Sequence, residues 1–384
     1  MRRTMRNAYG FSLIELMIAM TIGLLLLSGL ALIFVNSSDA NRELQKTGQQ
    51  IENGRYAVDT LSQDLRLAGF YGHLHDLTSI ATPASVPPDP CEASSTANLL
   101  SALWYPVQAY EGTIDAVTPA SDVAADVSAT SCAALTAANL KPGSDVIVIR
   151  RVETNALIAA DSTTSNAFYI QASATGAEMQ LGGGGSLGSC PTAVEHCKAD
   201  GTTASTLKFT NGASPAPSAP IRRLRVHVYF VAPCSVGTGT ASGISGVCTV
   251  SDDTIPTLKR LELTSQGTIT IVPLVEGVEY LKIQFGTDTV PGTVNLATGY
   301  TGDSNVDNYS PPSPASWAGL DWTTVIAAKI HVLARNTEST VGFTDNKTYT
   351  LGPYAVPARN DSFKRHVYGA AVQLVNPAGR REIP

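Results

Sequence analysis

The longest uninterrupted run of apolar residues lies close to the start of the chain, at positions 11–35. It reads FSLIELMIAMTIGLLLLSGLALIFV, and its only charged residue is Glu15. A helix rises about 1.5 Å per residue, so this run would extend for roughly 37 Å and cross a hydrocarbon core of about 30 Å. The pattern therefore predicts one membrane-spanning helix. Because the first proline is Pro83, we expect no proline kink in it.

A helical stripe continues beyond the apolar run. Leu44, Ile51, Val58 and Leu65 recur every seven positions. A companion row of small and apolar residues consists of Thr47, Gly54, Leu61 and Ala68. This spacing predicts an amphipathic helix that ends near residue 70. We expect residues 51–68 to pack on a globular head, whereas packing between subunits is favoured nearer the membrane.

Alternating apolar and polar positions predict β-strands in the second half of the chain. The clearest example is RLRVHVYFVA at 223–232, in which every second residue is apolar. Further strands are predicted at 145–152, 167–171, 258–264, 268–272, 280–285, 325–334 and 366–375. Residues 71–153 otherwise contain few periodic runs, with 98–105 as a weak exception, which predicts a segment rich in loops. The expected fold class is α+β, with a long N-terminal helix packed on a β-rich, mainly antiparallel head.

Charge gives the expected orientation of the membrane helix. Arg2, Arg3 and Arg6 precede the apolar run, and the positive-inside tendency keeps such a segment in the cytoplasm. Everything after residue 35 would then be exported. The whole chain has 26 Lys+Arg against 32 Asp+Glu and a net charge of −6, which argues against a general nucleic-acid-binding protein. The basic cluster at 222–225 is therefore expected to be a solvated strand edge or to form ion pairs.

Two features distinguish this N-terminus from an ordinary secretory signal. The apolar run is longer than the usual 7–15 residues, and the candidate cleavage position, Gly10, comes before it. Cleavage there would leave the helix on the mature chain. A carboxylate such as Glu15 costs about 2.5–3.5 kcal/mol inside a membrane helix, so a partner is expected. The new α-ammonium of Phe11 on a neighbouring subunit is the natural one.

The segment GFSLIELM at 10–17 resembles the processing motif of type IV prepilins. The resemblance implies that a prepilin peptidase cleaves after Gly10 and that the new N-terminal Phe11 is methylated. It also implies that Glu15 guides packing into the filament. A plain signal anchor with a stray glutamate is the alternative interpretation.

Several internal segments resemble the PilW family of minor pilins. They are IENGRYA at 51–57, DLRLAGF at 64–70, LVEGVE at 274–279, QFG at 284–286, VIAAKIHVLAR at 325–335, KRH at 364–366 and VQLVN at 372–376. The resemblance implies a non-enzymatic protein without a cofactor that promotes pilus assembly. It would join a tip or priming complex and support twitching, adhesion or DNA uptake.

The same resemblance implies partners, location and domain organisation. Partners would be other minor pilins, the major pilin and the prepilin peptidase. The charge balance of residues 71–384, with 19 basic and 26 acidic residues, argues against a direct nucleic-acid partner. The protein would cross the inner membrane once with its head in the periplasm, and would become extracellular in the pilus. We expect a leader at 1–10, a membrane and filament-core helix at 11–35, an amphipathic helix at 36–70 and an exported head at 71–384.

Two other functions fit the N-terminal helix. One is a minor pseudopilin of a type II secretion system, which is processed in the same way. The other is a membrane-anchored adhesin or enzyme with a coincidental leader. The C-terminal segments favour the pilus over secretion. No nucleophile elbow or metalloprotease pattern was found that would favour an enzyme.

All six cysteines follow the apolar run and would meet an oxidising compartment. Six cysteines allow 15 connectivities. Short loops favour the pairs Cys190–Cys197 and Cys234–Cys248, which leaves Cys91 to pair with Cys132.

An acidic turn is the remaining candidate for chemistry. Asp303, Asn305 and Asp307 alternate like the start of a calcium loop. Asn308 stands where such a loop has glycine, and Pro314 where it has glutamate. A polar turn is therefore favoured over a metal site, and no metal is expected.

Overall fold

The computed structural model describes most of the chain after residue 11. The described ranges are 12–74, 76–78, 82–83, 87–91, 96–112, 132, 134–136, 138–155, 167–173, 176–181, 197–198, 219–265, 268–289, 302–310, 317 and 320–381. The chain divides into two compact units, 1–49 and 50–384. Gly10, Phe11 and Cys190 lie outside the described residues.

Helix α1 (Leu13–Leu67) includes both the apolar run and the predicted amphipathic segment. No proline interrupts its 55 residues. It ends where Gly69 adopts a φ of +72°, a left-handed conformation that glycine tolerates and that commonly terminates helices. The backbone N–H of Gly69 then donates to the Arg150 carbonyl oxygen at 2.9 Å, so the chain leaves the helix along a strand of the head.

The remaining described elements are two short α-helices, two 3-10 helices (Ala102–Trp104 and Trp322–Thr324) and sixteen strands. The α-helices are α2 (Thr96–Ser101) and α3 (Val375–Arg381). The strands are β1 (Val107–Tyr110), β2 (Val146–Val152), β3 (Phe168–Ala172), β4 (Ala177–Leu181), β5 (Cys197–Lys198), β6 (Ile221–Ala232), β7 (Gly239–Ala241), β8 (Ile244–Val247), β9 (Thr257–Ser265), β10 (Thr268–Glu276), β11 (Val278–Thr287), β12 (Asn308–Tyr309), β13 (Val325–Arg335), β14 (Tyr349–Leu351), β15 (Tyr354–Val356) and β16 (Arg365–Gln373).

The strands form two larger sheets and two hairpins, and all described pairings are antiparallel. The first sheet has the order β1-β2-β6-β3-β4-β5, and β9, which pairs with β6, adds β10. The second sheet has the order β12-β11-β13-β16. Strands β7 and β8 form one separate hairpin, and β14 and β15 form the other. The α+β class and the antiparallel head expected from the sequence are confirmed.

The second half of α1 supplies one side of the head's core. Ala57, Leu61 and Leu65 are essentially inaccessible to solvent and belong to one apolar cluster with residues of both larger sheets. Gly54 is buried because the ring of Tyr368 on β16 occupies the space that a Cβ would fill. Of the predicted seven-residue stripe, only Leu65 is fully buried, and Leu44 and Ile51 are exposed. Of the companion row, Gly54, Leu61 and Ala68 are buried.

Some sequence predictions need correction. The segment expected to be loops contains α2 and β1, and the predicted strand at 366–375 ends at Gln373 because α3 begins at Val375. The short strands β7, β8, β14 and β15 were not predicted. Each is three or four residues long, too short for a periodic pattern to be recognised.

Candidate functional site

The apolar part of α1 is exposed along its whole described length. Leu13, Leu24 and Phe34, for example, expose 79, 69 and 73 % of their surface. By length and composition, this helix is one that could cross a membrane. An exposed apolar surface of this extent marks contact with a membrane or with other protein chains.

Glu15 lies in the first turn of α1, where the structure gives it a local role. The Glu15 carboxylate accepts a hydrogen bond from the backbone N–H of Ser12 at 3.2 Å. The Ser12 hydroxyl in turn accepts from the N–H of Ile14 at 3.3 Å. Together they form a capping box, which satisfies N–H groups that have no partner within the helix. Glu15 is itself exposed, so its carboxylate is accessible to a second partner.

A buried polar cluster joins the second half of α1 to the first sheet. One carboxylate oxygen of Asp64 accepts from the Nε of Arg151 on β2 at 2.6 Å. The other lies 2.6 Å from the Nδ1 of His227 and accepts from the hydroxyl of Tyr229 at 2.8 Å, both on β6. Arg260 of β9 extends the cluster, since its guanidinium lies 5.9 Å from the centre of the Tyr229 ring. We call these residues the Asp64 cluster.

The Asp64 cluster keeps its carboxylate charged. Burial alone would raise the pKa of Asp64, but the hydrogen bond and charge of His227, with those of Arg151, outweigh it and lower that pKa well below its usual value. The pKa of Tyr229 is raised by burial and by the neighbouring negative charge, so its hydroxyl stays a donor. The arrangement is suited to fastening a helix, because both oxygens of the buried carboxylate are engaged by side chains of the first sheet.

Further contacts fasten the same helix to distant parts of the head. The side-chain amide of Gln50 donates to the carbonyl oxygens of Ala334 and Lys364 at 2.9 and 3.0 Å. At the other end of the helix, the Asn376 amide of α3 donates to the Ala68 carbonyl at 3.1 Å. Arg380 of α3 donates to the Gly69 carbonyl at 2.5 Å. The helix is therefore bound to the head at several points along its second half.

Two disulfides are described, both in the head. Cys234 pairs with Cys248 across the β7–β8 hairpin with a Cα–Cα distance of 5.8 Å, as loop length favoured. Cys91 pairs with Cys132 at a Cα–Cα distance of 5.0 Å. The expected Cys190–Cys197 pair lies outside the described residues, because only the backbone of Cys197 is described. Lys259 is buried against the Cys234–Cys248 pair, with Nζ 3.5 Å from the Cys234 Sγ.

The carboxylates of the acidic turn accept hydrogen bonds from nearby N–H groups. Asp303 accepts from the backbone N–H of Asn305 at 3.0 Å and from its side-chain amide at 3.1 Å. Asp307 accepts instead from the backbone N–H of Thr289 at 2.7 Å. Asp303 and Asp307 thus point to different partners.

The basic cluster at 222–225 is engaged within the head. Arg222 donates to the Glu153 carbonyl oxygen at 3.1 Å, and its guanidinium lies over the ring of Phe70. Arg225 forms an ion pair with the Glu153 carboxylate, with its Nε 2.8 Å from Oε1. These arginines are engaged within the head at the start of β6, which agrees with the expected ion pairing.

The Asp64 cluster was missed at the level of sequence. Its available signal was the polar half of the β6 alternation, since Arg225, His227 and Tyr229 occupy every second position opposite the apolar face. The alternation along β6 predicts which face of the sheet each side chain occupies, but not which residue of another element it contacts. Asp64 lies 163 positions before His227, and no local pattern connects the two.

Comparisons with known protein families match two separate parts of this chain, one at the N-terminus and one in the second half. Residues 229–376 match the family model described as Type IV Pilus-assembly protein W. Residues 5–31 match the model of the Prokaryotic N-terminal methylation motif. No curated protein matches the chain. A solved structure of a type IV-like pilin from Thermus thermophilus is similar over 57 % of this chain and 87 % of its own, with 14 % identity and a TM-score of 0.19.

Proposed function

Because this chain is a type IV pilin of the PilW family, we propose that it acts as a minor pilin in a priming complex at the filament tip. The observation that carries the proposal is the joining of a methylation motif at 5–31 to a PilW segment at 229–376. Members of this family are pilus components and not enzymes. The proposed partners are other minor pilins and the major pilin. Twitching, adhesion or DNA uptake would follow from assembly.

The proposed path of the protein begins in the inner membrane. The leader 1–10 stays in the cytoplasm, residues 11–35 span the bilayer, and the head at 71–384 enters the periplasm before the pilus carries it outside. The arginines of the leader support this orientation. The disulfides of the head support an oxidising compartment. The head's own arginines contact Glu153 and Phe70, which favours protein partners over nucleic acid.

Glu15 is the residue that we propose to direct assembly. In a filament its carboxylate would pair with the methylated ammonium of Phe11 on a neighbouring chain, which offsets the cost of a charge in apolar surroundings. The capping box with Ser12 gives Glu15 a second role in the same chain. The two roles differ chemically, because glutamine also caps a helix but carries no charge.

Glu15→Gln and Glu15→Ala separate these roles. If the charge is what matters, both variants are cleaved normally and both reduce surface pili. If capping alone matters, the Glu15→Gln variant keeps the wild-type number of surface pili while Glu15→Ala does not, and the proposed ion pair is wrong. Glu52→Ala, an exposed carboxylate farther along the same helix, is the control and should leave pilus number unchanged. Pilus counts by electron microscopy and the mature N-terminal mass provide the two measurements.

Cleavage and complex formation need their own tests. Gly10→Val should block processing, so the chain should retain its leader, and a mature mass identical to wild type would refute the cleavage site. The tip complex is tested by affinity capture of the full chain from detergent-solubilised membranes. Co-purification of other minor pilins is expected. Co-purification of secretion pseudopilins instead would overturn the proposal in favour of type II secretion.

A further inference from the structure

A lysine and an aspartate lie side by side in the interior of the head. Lys282 is in the middle of β11, in the second sheet, and Asp145 immediately precedes β2, in the first sheet. Neither exposes any of its surface to solvent. The Lys282 Nζ lies 2.5 Å from the Asp145 Oδ1.

The surroundings of this pair hold the reacting atoms in one place. The backbone N–H of Ile283 donates to the Asp145 Oδ2 at 2.8 Å, and that of Gly112 donates to Oδ1 at 2.9 Å. The Lys282 Nζ also donates to the Gly112 carbonyl oxygen at 2.5 Å. Tyr354 lies beside the amine, with its ring centre 4.3 Å from Nζ. Each oxygen of the carboxyl group therefore has a fixed environment.

Burial also favours the uncharged form of the Asp145 carboxyl group. Taking an ammonium and a carboxylate out of water costs several kcal/mol for each ion, and their attraction only partly offsets that cost. Burial raises the pKa of Asp145, against the opposing charge and hydrogen bond of Lys282. A proton that moves across the short contact converts the ion pair into a neutral amine beside a neutral carboxylic acid. A neutral amine is a nucleophile, whereas an ammonium ion is not.

We propose that Lys282 and Asp145 condense to form an intramolecular isopeptide bond. The lone pair of Nζ attacks the Asp145 Cγ. The carbonyl oxygen Oδ2 is polarised because it accepts a hydrogen bond from the backbone N–H of Ile283. The N–C bond forms and the bond from Cγ to Oδ1 breaks. Oδ1 leaves as water with one proton from the amine and one from the carboxylic acid. The step consumes no oxidant, reductant or co-substrate, because the ammonium group of Lys282 and the carboxylate of Asp145 together contain all the atoms of the amide and one water molecule.

The positions of the two residues give the bond its consequence. Because Asp145 belongs to the β2 side and Lys282 to β11, the amide would join the two larger sheets covalently. Tyr354 on the β14–β15 hairpin covers the site, and its hydroxyl donates to Glu111 at 3.2 Å. Tyr354 and Glu111 are assigned as positioning residues, because the hydrogen bond between them holds the ring against the amine.

The test is mass spectrometry of the full chain after denaturation, reduction and digestion with trypsin. Trypsin cleaves after a free lysine but not after one whose Nζ is acylated. We expect loss of cleavage at Lys282 and a branched peptide that contains Asp145, with a mass lower by one water than the sum of its two parts. Lys259, which is equally buried in the fold, is the internal control and should be cleaved.

Two variants sharpen the result. Asp145→Ala removes the acyl group and should restore cleavage at Lys282. Tyr354→Leu removes the ring above the amine and should lower the branched fraction at a fixed time after synthesis, while Tyr349→Leu on the neighbouring strand should leave it unchanged. Complete cleavage at Lys282 in the wild-type chain, with both peptides at their full masses, would overturn the proposal.

Discussion

The substitution Asp64→Asn tests whether the Asp64 cluster fastens α1 to the head. Asparagine has nearly the same shape as aspartate, so the change removes the charge and one acceptor without creating a cavity. It leaves the Arg151 guanidinium, whose side chain is 18 % exposed, without its carboxylate. It also leaves His227 and Tyr229 to share an uncharged acceptor in a site that excludes water.

The expected loss follows from the burial of the cluster. The Asp64 side chain is 6 % exposed, as is that of His227, so solvent screens their interaction little. Removing one partner of a buried ion pair typically costs about 3–5 kcal/mol, because the remaining charge is left uncompensated. Since Arg151 keeps partial access to water, we expect the lower end, about 3 kcal/mol. That is a large share of the usual stability of a domain.

Tryptophan fluorescence of the full chain in detergent micelles measures this loss. The three tryptophans, Trp104, Trp317 and Trp322, are all buried in the head, so their emission reports on the head and not on the membrane segment. A urea titration at neutral pH should give a lower midpoint for Asp64→Asn. Asp59→Asn is the matched control, because Asp59 is exposed on the same helix and accepts only from Gln63 among the described contacts.

Acid titration gives an independent check on the same residue. The folded-state pKa of Asp64 is lowered, so its contribution is fully present above the unfolded-state value of about 3.9 and is lost as pH falls below it. The wild-type chain should therefore lose stability on acidification more steeply than Asp64→Asn. Equal urea midpoints for Asp64→Asn and Asp59→Asn, or identical acid slopes for variant and wild type, would refute the fastening role.

Two further predictions concern packing and cross-linking of the head. Gly54→Ala places a methyl group on the ring of Tyr368 and should cost about 1–3 kcal/mol, whereas Gly48→Ala, with open space around it, should raise stability by up to about 1 kcal/mol through helix propensity. Urea midpoints of both variants check the contrast, and equal effects would contradict the close approach. Replacing Cys234 and Cys248 together by alanine opens a loop with a separation of 14 residues and should cost about 3 kcal/mol, measured by the same titration against the oxidised wild-type chain. No loss in the oxidised comparison would show that the bridge adds nothing to the packed hairpin.

Sequence patterns were most informative where periodicity is long. The apolar run and the stripe beyond it extend over more than fifty residues, and the structure contains one helix there. Strand β6 alternates over most of its twelve residues, and its existence was predicted. In both cases the local pattern repeats often enough to identify the element.

Tertiary contacts explain what the sequence did not reveal. Helix α3 contains Pro377 and Gly379, which are poor helix formers, and it is held by the contacts of Asn376 and Arg380 with the end of α1. Lys282 lies in a strand that reads as an ordinary alternating segment. That it meets Asp145, 137 positions away, depends on how the two sheets stack and not on either local sequence.

The contacts of Gln50 have a consequence for the order of events during synthesis. The two carbonyl groups that its amide binds are 284 and 314 positions later in the chain. Contacts of such sequence separation form late and slow the folding of a domain. The second half of α1 must therefore leave the ribosome long before its binding site exists. During that interval its apolar face is uncovered, which makes a nascent chain of this kind a natural client for chaperones.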